Sequence, residues 1–299
     1  MPANTVPKAN CAAFQQRYPN VRMNIPRNTF WGLLAAVALV CGPLLLATAE
    51  DRPVISSDDV LSFAICPIVY PLDQSPSQRG FHYLFYGNGF FINRDGYLLT
   101  AAHVLSQLTD SQAYIVLRLP MAPPRFLKAA VIAMDKDHDV ALLQATPNPF
   151  EGKYQVRFLP LANGQPTPGQ SVLAAALRPS RLKDPHTFDA FVEDRPAGQV
   201  LDYESSRLER DAPETELLLF GHEVLLGDSG APVVSADSQA VVGLVEGRWL
   251  RVNAASLAAK QSGGGVGAAV PIRYAIRLLQ QQGVAWHEAP AVLPRQASP

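Results

Sequence analysis

Cysteine is scarce in this chain: three residues in 299, Cys11, Cys41 and Cys66. That excludes the dense disulfide framework that staples small secreted domains, so stability has to come from packing. Charge is sparse as well, at 17%, and no basic stripe runs through the body, which excludes a nucleic-acid-binding surface. No segment repeats at solenoid or propeller spacing, and the 20 glycines and 26 prolines follow no period. Repeat, collagen-like and low-complexity architectures are therefore excluded too. What the chain does have is apolar residues, 48% of the total. They fall in many short runs broken by Gly, Pro, Asn and Asp, the pattern of a β-rich fold with a sizeable core.

Acid is absent from residues 1–49, which hold Lys8, Arg17, Arg22 and Arg27. The body that follows keeps all 26 acidic residues and is mildly acidic. From Phe30 to Ala49 nothing is charged. A helix apolar on every side has no face to offer water, so this stretch reads as a targeting segment rather than a core helix. Gly42-Pro43 cuts the run to signal-peptide length, and Ala47-Thr48-Ala49 is an A-x-A cleavage site that leaves Glu50 as the new N-terminus. The reading is an exported protein, periplasmic or secreted. The alternative keeps residues 30–49 uncleaved as an inner-membrane anchor, the one way this chain would meet a membrane. Met23 offers a compact start, MNIPRNTF, and translation from there is the hypothesis; a peptide from residues 1–22 in the native protein would contradict it. Removal of 1–49 leaves Cys66 alone, inside FAICPIVY, as a buried small hydrophobe.

The body reads as two series of strands. The first is LSFAICPIVY, HYLFYGNGFFI, YLLTAAHVL, AYIVLRLP, AAVIAM and VALLQA, with a hairpin turn at Asn93-Arg94-Asp95-Gly96. The second is FLPLA, SVLAAAL, FDAFVE, GQVLDYE, ETELLLF, APVVS and QAVVGLVEG. Two groups of about six strands, joined near Ala162–Pro168, predict two packed barrels or sandwiches. Pro271 opens a helix whose Ile272, Ala275, Ile276 and Leu279 share one face and whose stop is Gly283. Gly263–Gly265 marks a turning loop, and residues 289–299 read as a loose tail.

Three stretches carry chemistry: His103 just after a strand, Asp139 just before one, and Ser229 within GDSGAPVV. A serine hydroxyl needs a neighbouring base, and imidazole titrates in the right range. A buried carboxylate then fixes the imidazole tautomer and stabilises its cation. Two backbone N–H groups must meet the developing oxyanion; Gly227, free to adopt positive φ, and Ser229 are the candidate donors. Each piece alone has a plainer explanation, a turn for GDSG and a half-buried polar residue for the histidine. Asp135, Asp137 and Asp139 alternate as in a calcium loop, but Val140 stands where the turn glycine belongs and no Glu follows in place, so no metal is predicted. No cofactor is predicted either. The order His, Asp, Ser excludes the α/β-hydrolase arrangement, in which histidine comes last, and matches the chymotrypsin order.

TAAH at 100–103, DVAL at 139–142 and GDSGAP at 227–232 resemble the histidine, aspartate and nucleophile motifs of the trypsin-like serine peptidases, nearest to the bacterial HtrA/Deg type. GNGFFINRDGYLLTAAHV resembles that family's G-S-G-F-x-x-x-x-G-x-x-x-T-x-x-H-V run, and the likeness extends over about residues 60–280. The resemblance implies an all-β fold of two six-stranded barrels, the first about 55–163 and the second about 164–270. A C-terminal helix of about 271–282 completes a protease domain of 50–288. It implies an endopeptidase acting on polypeptide substrates through an acyl-enzyme. Glu223, six residues before the serine, falls where trypsins carry the acid at the base of the primary pocket. Leu244, Val245 and Glu246 fall on the strand lining the cleft. The chain departs from the pattern in three ways. Too few residues follow Gly283 for a PDZ domain, Gly230-Ala231 replaces the usual G-G, and no R-I-V-G-G exists to supply a freed N-terminus to Asp228, whose partner is left open. Rival readings are a catalytically silent protease-like binding or scaffold protein and an esterase using the same three residues.

Overall fold

Paired apolar residues, Phe90-Phe91, Leu98-Leu99 and Leu142-Leu143, place an apolar side chain on both faces of a strand. All six are buried. Phe91, Leu98 and Leu143 join a core drawn entirely from the first half of the chain, while Phe90, Leu99 and Leu142 join a second core to which both halves contribute. A third core, with Val172, Leu218, Phe220, Val233 and Ala269, belongs to the second half alone. Each half thus has its own interior, and the doubled apolar positions bind the halves together.

The computed structural model describes residues 57–71, 83–106, 108, 112–119, 122–152, 154–179, 188–190, 198–208, 213–250 and 265–289, all within the unit Pro53–Pro299. The targeting segment 1–49, Cys11, Cys41, Gly263, Gly264 and all but the first residue of the tail 289–299 lie outside the described residues. Helix α1 (Ser57–Ala64) leads into β1 (Ile65–Pro71), β2 (Tyr83–Phe91), β3 (Tyr97–Thr100), β4 (Gln112–Leu119), β5 (Ala122–Asp135) and β6 (Val140–Thr146). The second half runs through β7 (Ser171–Ala174), β8 (Leu177–Pro179), β9 (Phe188–Ala190), β10 (Gly198–Arg207), β11 (Glu214–Phe220), β12 (Pro232–Ser235), β13 (Val241–Arg248), β14 (Gly267–Pro271) and helix α2 (Ile272–Gln282).

Six strands close the first barrel in the order β1-β2-β3-β6-β5-β4, sealed where Ile68 pairs with Ile115. Six more close the second as β10-β11-β14-β13-β12-β7, sealed where Gly198 pairs with Val172. Strands β8 and β9 form a separate two-stranded ribbon. The β2–β3 turn is set by the Asn93 side chain, whose Oδ1 accepts the N–H groups of Asp95 and Tyr97, with Gly96 at φ 78°. Helix α2 starts after Pro271 and ends at Gly283, in the left-handed conformation that favours glycine. It packs against β5 and β6 of the first barrel and β13 and β14 of the second. Among the described residues no helix is long and apolar enough to cross a membrane.

Two strand readings are corrected. LSFA of the first run is the end of α1, opened by Ser57-Asp58-Asp59, residues that favour a helix start, with Leu61 and Ala64 turned into the core. FLPLA is not a strand; Leu159 and Leu161 are buried, but their N–H groups reach Phe91 and His287 and only Leu161 makes isolated bridges. Cys66 is buried on β1, its Sγ 3.6 Å from the Gly89 carbonyl, and burial pushes the thiol pKa up.

Candidate active site

The histidine sits on a single 3₁₀ turn, Ala102–Leu105, directly after β3. Ala102, Val104 and Leu105 face the first core and anchor the turn, which leaves the His103 side chain 43% exposed. Asp139 closes the turn after β5 and is buried. Its φ is 54°, a left-handed conformation that Asp tolerates better than most residues. That conformation is held at three points. The Asp139 carbonyl accepts the Ala102 N–H at 3.2 Å, its Oδ1 accepts the His103 N–H at 2.7 Å, and its Oδ2 lies 2.7 Å from His103 Nδ1.

Two opposing effects act on the imidazole. Burial lowers its pKa, while the hydrogen bond to Asp139, the Asp139 charge and the Glu246 charge raise it; the net shift is upward. Glu246 is shifted upward as well, first by burial and then by the like charge of Asp139, with His103 opposing. Two carboxylates therefore act on one imidazole.

Ser229 lies in the loop between β11 and β12, flanked by Gly227 at φ 96° and Gly230 at φ 76°. The loop is pinned from several sides. Asp228 N–H donates to the Leu225 carbonyl, Leu225 N–H donates to Asp228 Oδ2, and Gly230 N–H donates to the Val245 carbonyl on β13. The Asp228 carboxylate, buried, is gripped by the guanidinium of Arg178 from β8. Arg178 is the internal partner that the sequence left open. The Ser229 hydroxyl donates to the Glu246 carbonyl at 3.3 Å, and among the described residues no hydrogen bond joins it to His103. Catalytic hydrogen bonds of this kind often tighten only in the substrate complex. The N–H groups of Gly227 and Ser229 donate to no protein acceptor among the described residues.

The four expected cleft residues divide. Leu244 and Val245 are fully buried, and both backbone groups of Val245 pair with the loop that carries Ser229, so neither side chain faces solvent. Their strand, β13, supports that loop through the bonds of Val245 to Gly230 and Ala231. Glu246 is half-buried beside the His103–Asp139 pair. Glu223 is not a buried acid: its side chain is 60% exposed and lies 4.0 Å from Arg248. Gly265 packs against Glu223, where an added Cβ would stand 3.1 Å from its Cα. No motif in the sequence marks Arg178 or Asn88, yet both are buried and both contact the loop that carries Ser229. Among the described residues no cluster of His, Cys, Asp and Glu has the makings of a metal site.

Comparison with known proteins agrees with the fold. The family description "Trypsin-like peptidase domain" matches residues 87–244. No curated protein matches the chain. The Rv3671c protease from M. tuberculosis, in its active form, superposes with a TM-score of 0.53 at 18% identity, over 78% of this chain and 86% of that one. Deg5 gives 0.52 at 17% identity, over 77% and 94%. The HtrA-type protease AlgW gives 0.51 at 18% identity, over 75% of this chain and 62% of that one. At these identities the likeness is one of fold.

Proposed function

Since the chain belongs to the trypsin-like peptidase family, and so to the serine endopeptidases, we propose that it cleaves polypeptides with Ser229 as nucleophile, His103 as general base and Asp139 as the carboxylate that orients the base. The observation that carries this reading is the double hold of Asp139 on His103, through backbone N–H and ring Nδ1, with the glycine-flanked Ser229 bonded to Glu246, the residue whose charge reaches His103. With Nδ1–H committed to Asp139, the other ring nitrogen is the one left to take the Ser229 proton. Attack on a substrate carbonyl places negative charge on its oxygen, for which the Gly227 and Ser229 N–H groups are the available donors. The imidazolium, stabilised by Asp139, then protonates the leaving amine, and the same base activates water to release the acyl group. We assign residues 1–49 to an export segment and 50–288 to the protease domain, with an exported, periplasmic or secreted location.

Ser229→Ala is expected to cut kcat on labelled casein by something on the order of a millionfold while the melting transition stays in place. A fluorophosphonate probe is expected to label Ser229, and to fail when His103 is replaced by Ala. Unchanged casein turnover by Ser229→Ala would refute the assignment. One observation favours a second reading: the Ser229 hydroxyl bonds to Glu246 rather than His103, as in a protease-like protein that binds peptides without cutting them. Tight peptide binding with no probe labelling would support that reading instead.

A further inference from the structure

Asn88 is the middle residue of Gly87-Asn88-Gly89 on β2 and is fully buried. A buried amide with a donor and an acceptor is costly unless both are satisfied. Here every polar group of the residue is engaged. Its Nδ2 donates to the Gly227 carbonyl at 2.8 Å, and its Oδ1 accepts the Leu177 N–H at 3.0 Å. Its backbone N–H donates to the Ser229 carbonyl at 2.8 Å, and its own carbonyl accepts the Thr100 hydroxyl at 2.6 Å. One residue of the first barrel therefore holds the backbone of both candidate oxyanion donors' residues, Gly227 through its side chain and Ser229 through its backbone N–H, and its side chain also holds Leu177, the neighbour of Arg178.

The surrounding glycines show how closely the two segments are pressed together. A Cβ on Gly87 would stand 2.6 Å from the Ser229 carbonyl oxygen, and one on Gly230 would stand 2.3 Å from the Asn88 carbonyl oxygen. The strand GNG and the loop GDSG are in direct backbone contact, and the Asn88 amide is the side-chain link between them. A carbonyl anchored at Gly227 fixes the orientation of the peptide that follows it, and with it the path of the chain toward Ser229.

We infer that Asn88 is a positioning residue for the oxyanion donors: its amide holds the Gly227 carbonyl and so sets the loop that presents the Gly227 and Ser229 N–H groups. This rests on the peptidase reading above. The residue touches no reacting atom, so its effect belongs in the transition state and not in substrate affinity. A serine, the residue at this place in the run the sequence resembles, is too short to reach Gly227 and Leu177 together.

The test compares the full chain with Asn88→Ser and Asn88→Ala, measuring kcat and KM on labelled casein, the rate of fluorophosphonate labelling, and the folded fraction from a melting curve. Asn88→Ser retains a small polar residue, so a folded variant is available if Asn88→Ala fails to fold. The expected result is a fall in kcat and in labelling rate of about 10²–10³-fold per folded molecule, the scale of losing one oxyanion donor, with KM within about threefold. Labelling and kcat within about threefold of the unaltered chain would overturn the inference. So would a loss of kcat matched by an equal loss of folded protein. An unaltered chain that takes no probe would overturn the peptidase reading, and this inference with it.

Discussion

Arg178 and Asp228 form a two-bond ion pair directly beneath the loop that carries Ser229, with side-chain exposures of 10% and 3%. In animal trypsins the corresponding aspartate meets an N-terminus freed by cleavage. Here the positive partner is an arginine of the same folded domain, so the loop has its counter-charge without any cut in the chain.

Breaking that pair is expected to be expensive. Arg178→Met leaves a buried carboxylate without its cation, a change that typically costs about 3–5 kcal/mol. Chemical denaturation of Arg178→Met should show a loss of that order, accompanied by slower labelling of Ser229. Adding Asp228→Asn to the same chain should recover part of the stability by removing the stranded charge. A single variant as stable as the parent would show that the pair does not brace the loop.

With His103 as the proposed base, activity is expected to depend on pH. The imidazolium cannot accept the serine proton, so activity requires the neutral ring. Because the net shift is upward from 6.5, the neutral form appears at higher pH than for an ordinary histidine. The acid limb of kcat/KM should therefore lie above pH 6.5, with activity rising through it. Glu246→Gln removes one of the charges that favour the cation and should move the limb to lower pH. A limb unmoved by that change would show that the Glu246 charge does not reach the base.

Gly87→Ala tests the close approach of β2 to the nucleophile loop. The added methyl would meet the Ser229 carbonyl at 2.6 Å and Val104 Cγ2 at 2.9 Å. Overpacking of this kind costs about 1–3 kcal/mol, and a shift of about 1 Å in a reacting group lowers the rate about 10²-fold. The expectation is a folded protein with reduced kcat on casein. Full activity would mean that the loop can yield without disturbing Ser229.

Much of this architecture was legible from local pattern. His103, Asp139 and Ser229 each sit in a short motif next to an apolar run, and the two groups of strands follow from where most of those runs break, whereas the crossed strand order of each barrel does not. The Asn93–Gly96 turn and the Gly283 helix stop were legible for the same reason, because both depend on residues a few positions apart. Arg178 was not legible, since its partner lies 50 residues away and nothing in LRP marks the arginine as buried. Asn88 was hidden because the run GNGFFI reads as strand whatever the middle residue does. Glu223 was placed by counting back from the serine, yet its exposure depends on the path of the loop, which spacing does not encode. FLPLA misled because burial of alternate leucines does not require a strand partner on either side.

Helix α2 comes after the nucleophile in chain order, yet it packs on β6, the strand that Asp139 immediately precedes, and on β13, which backs the Ser229 loop. Asp139 and the Ser229 loop therefore share a support that follows both in the chain. A change in this one helix is therefore felt at two places far apart in the sequence. Replacing Leu279, which it buries in the shared core, would loosen the footing on both sides at once.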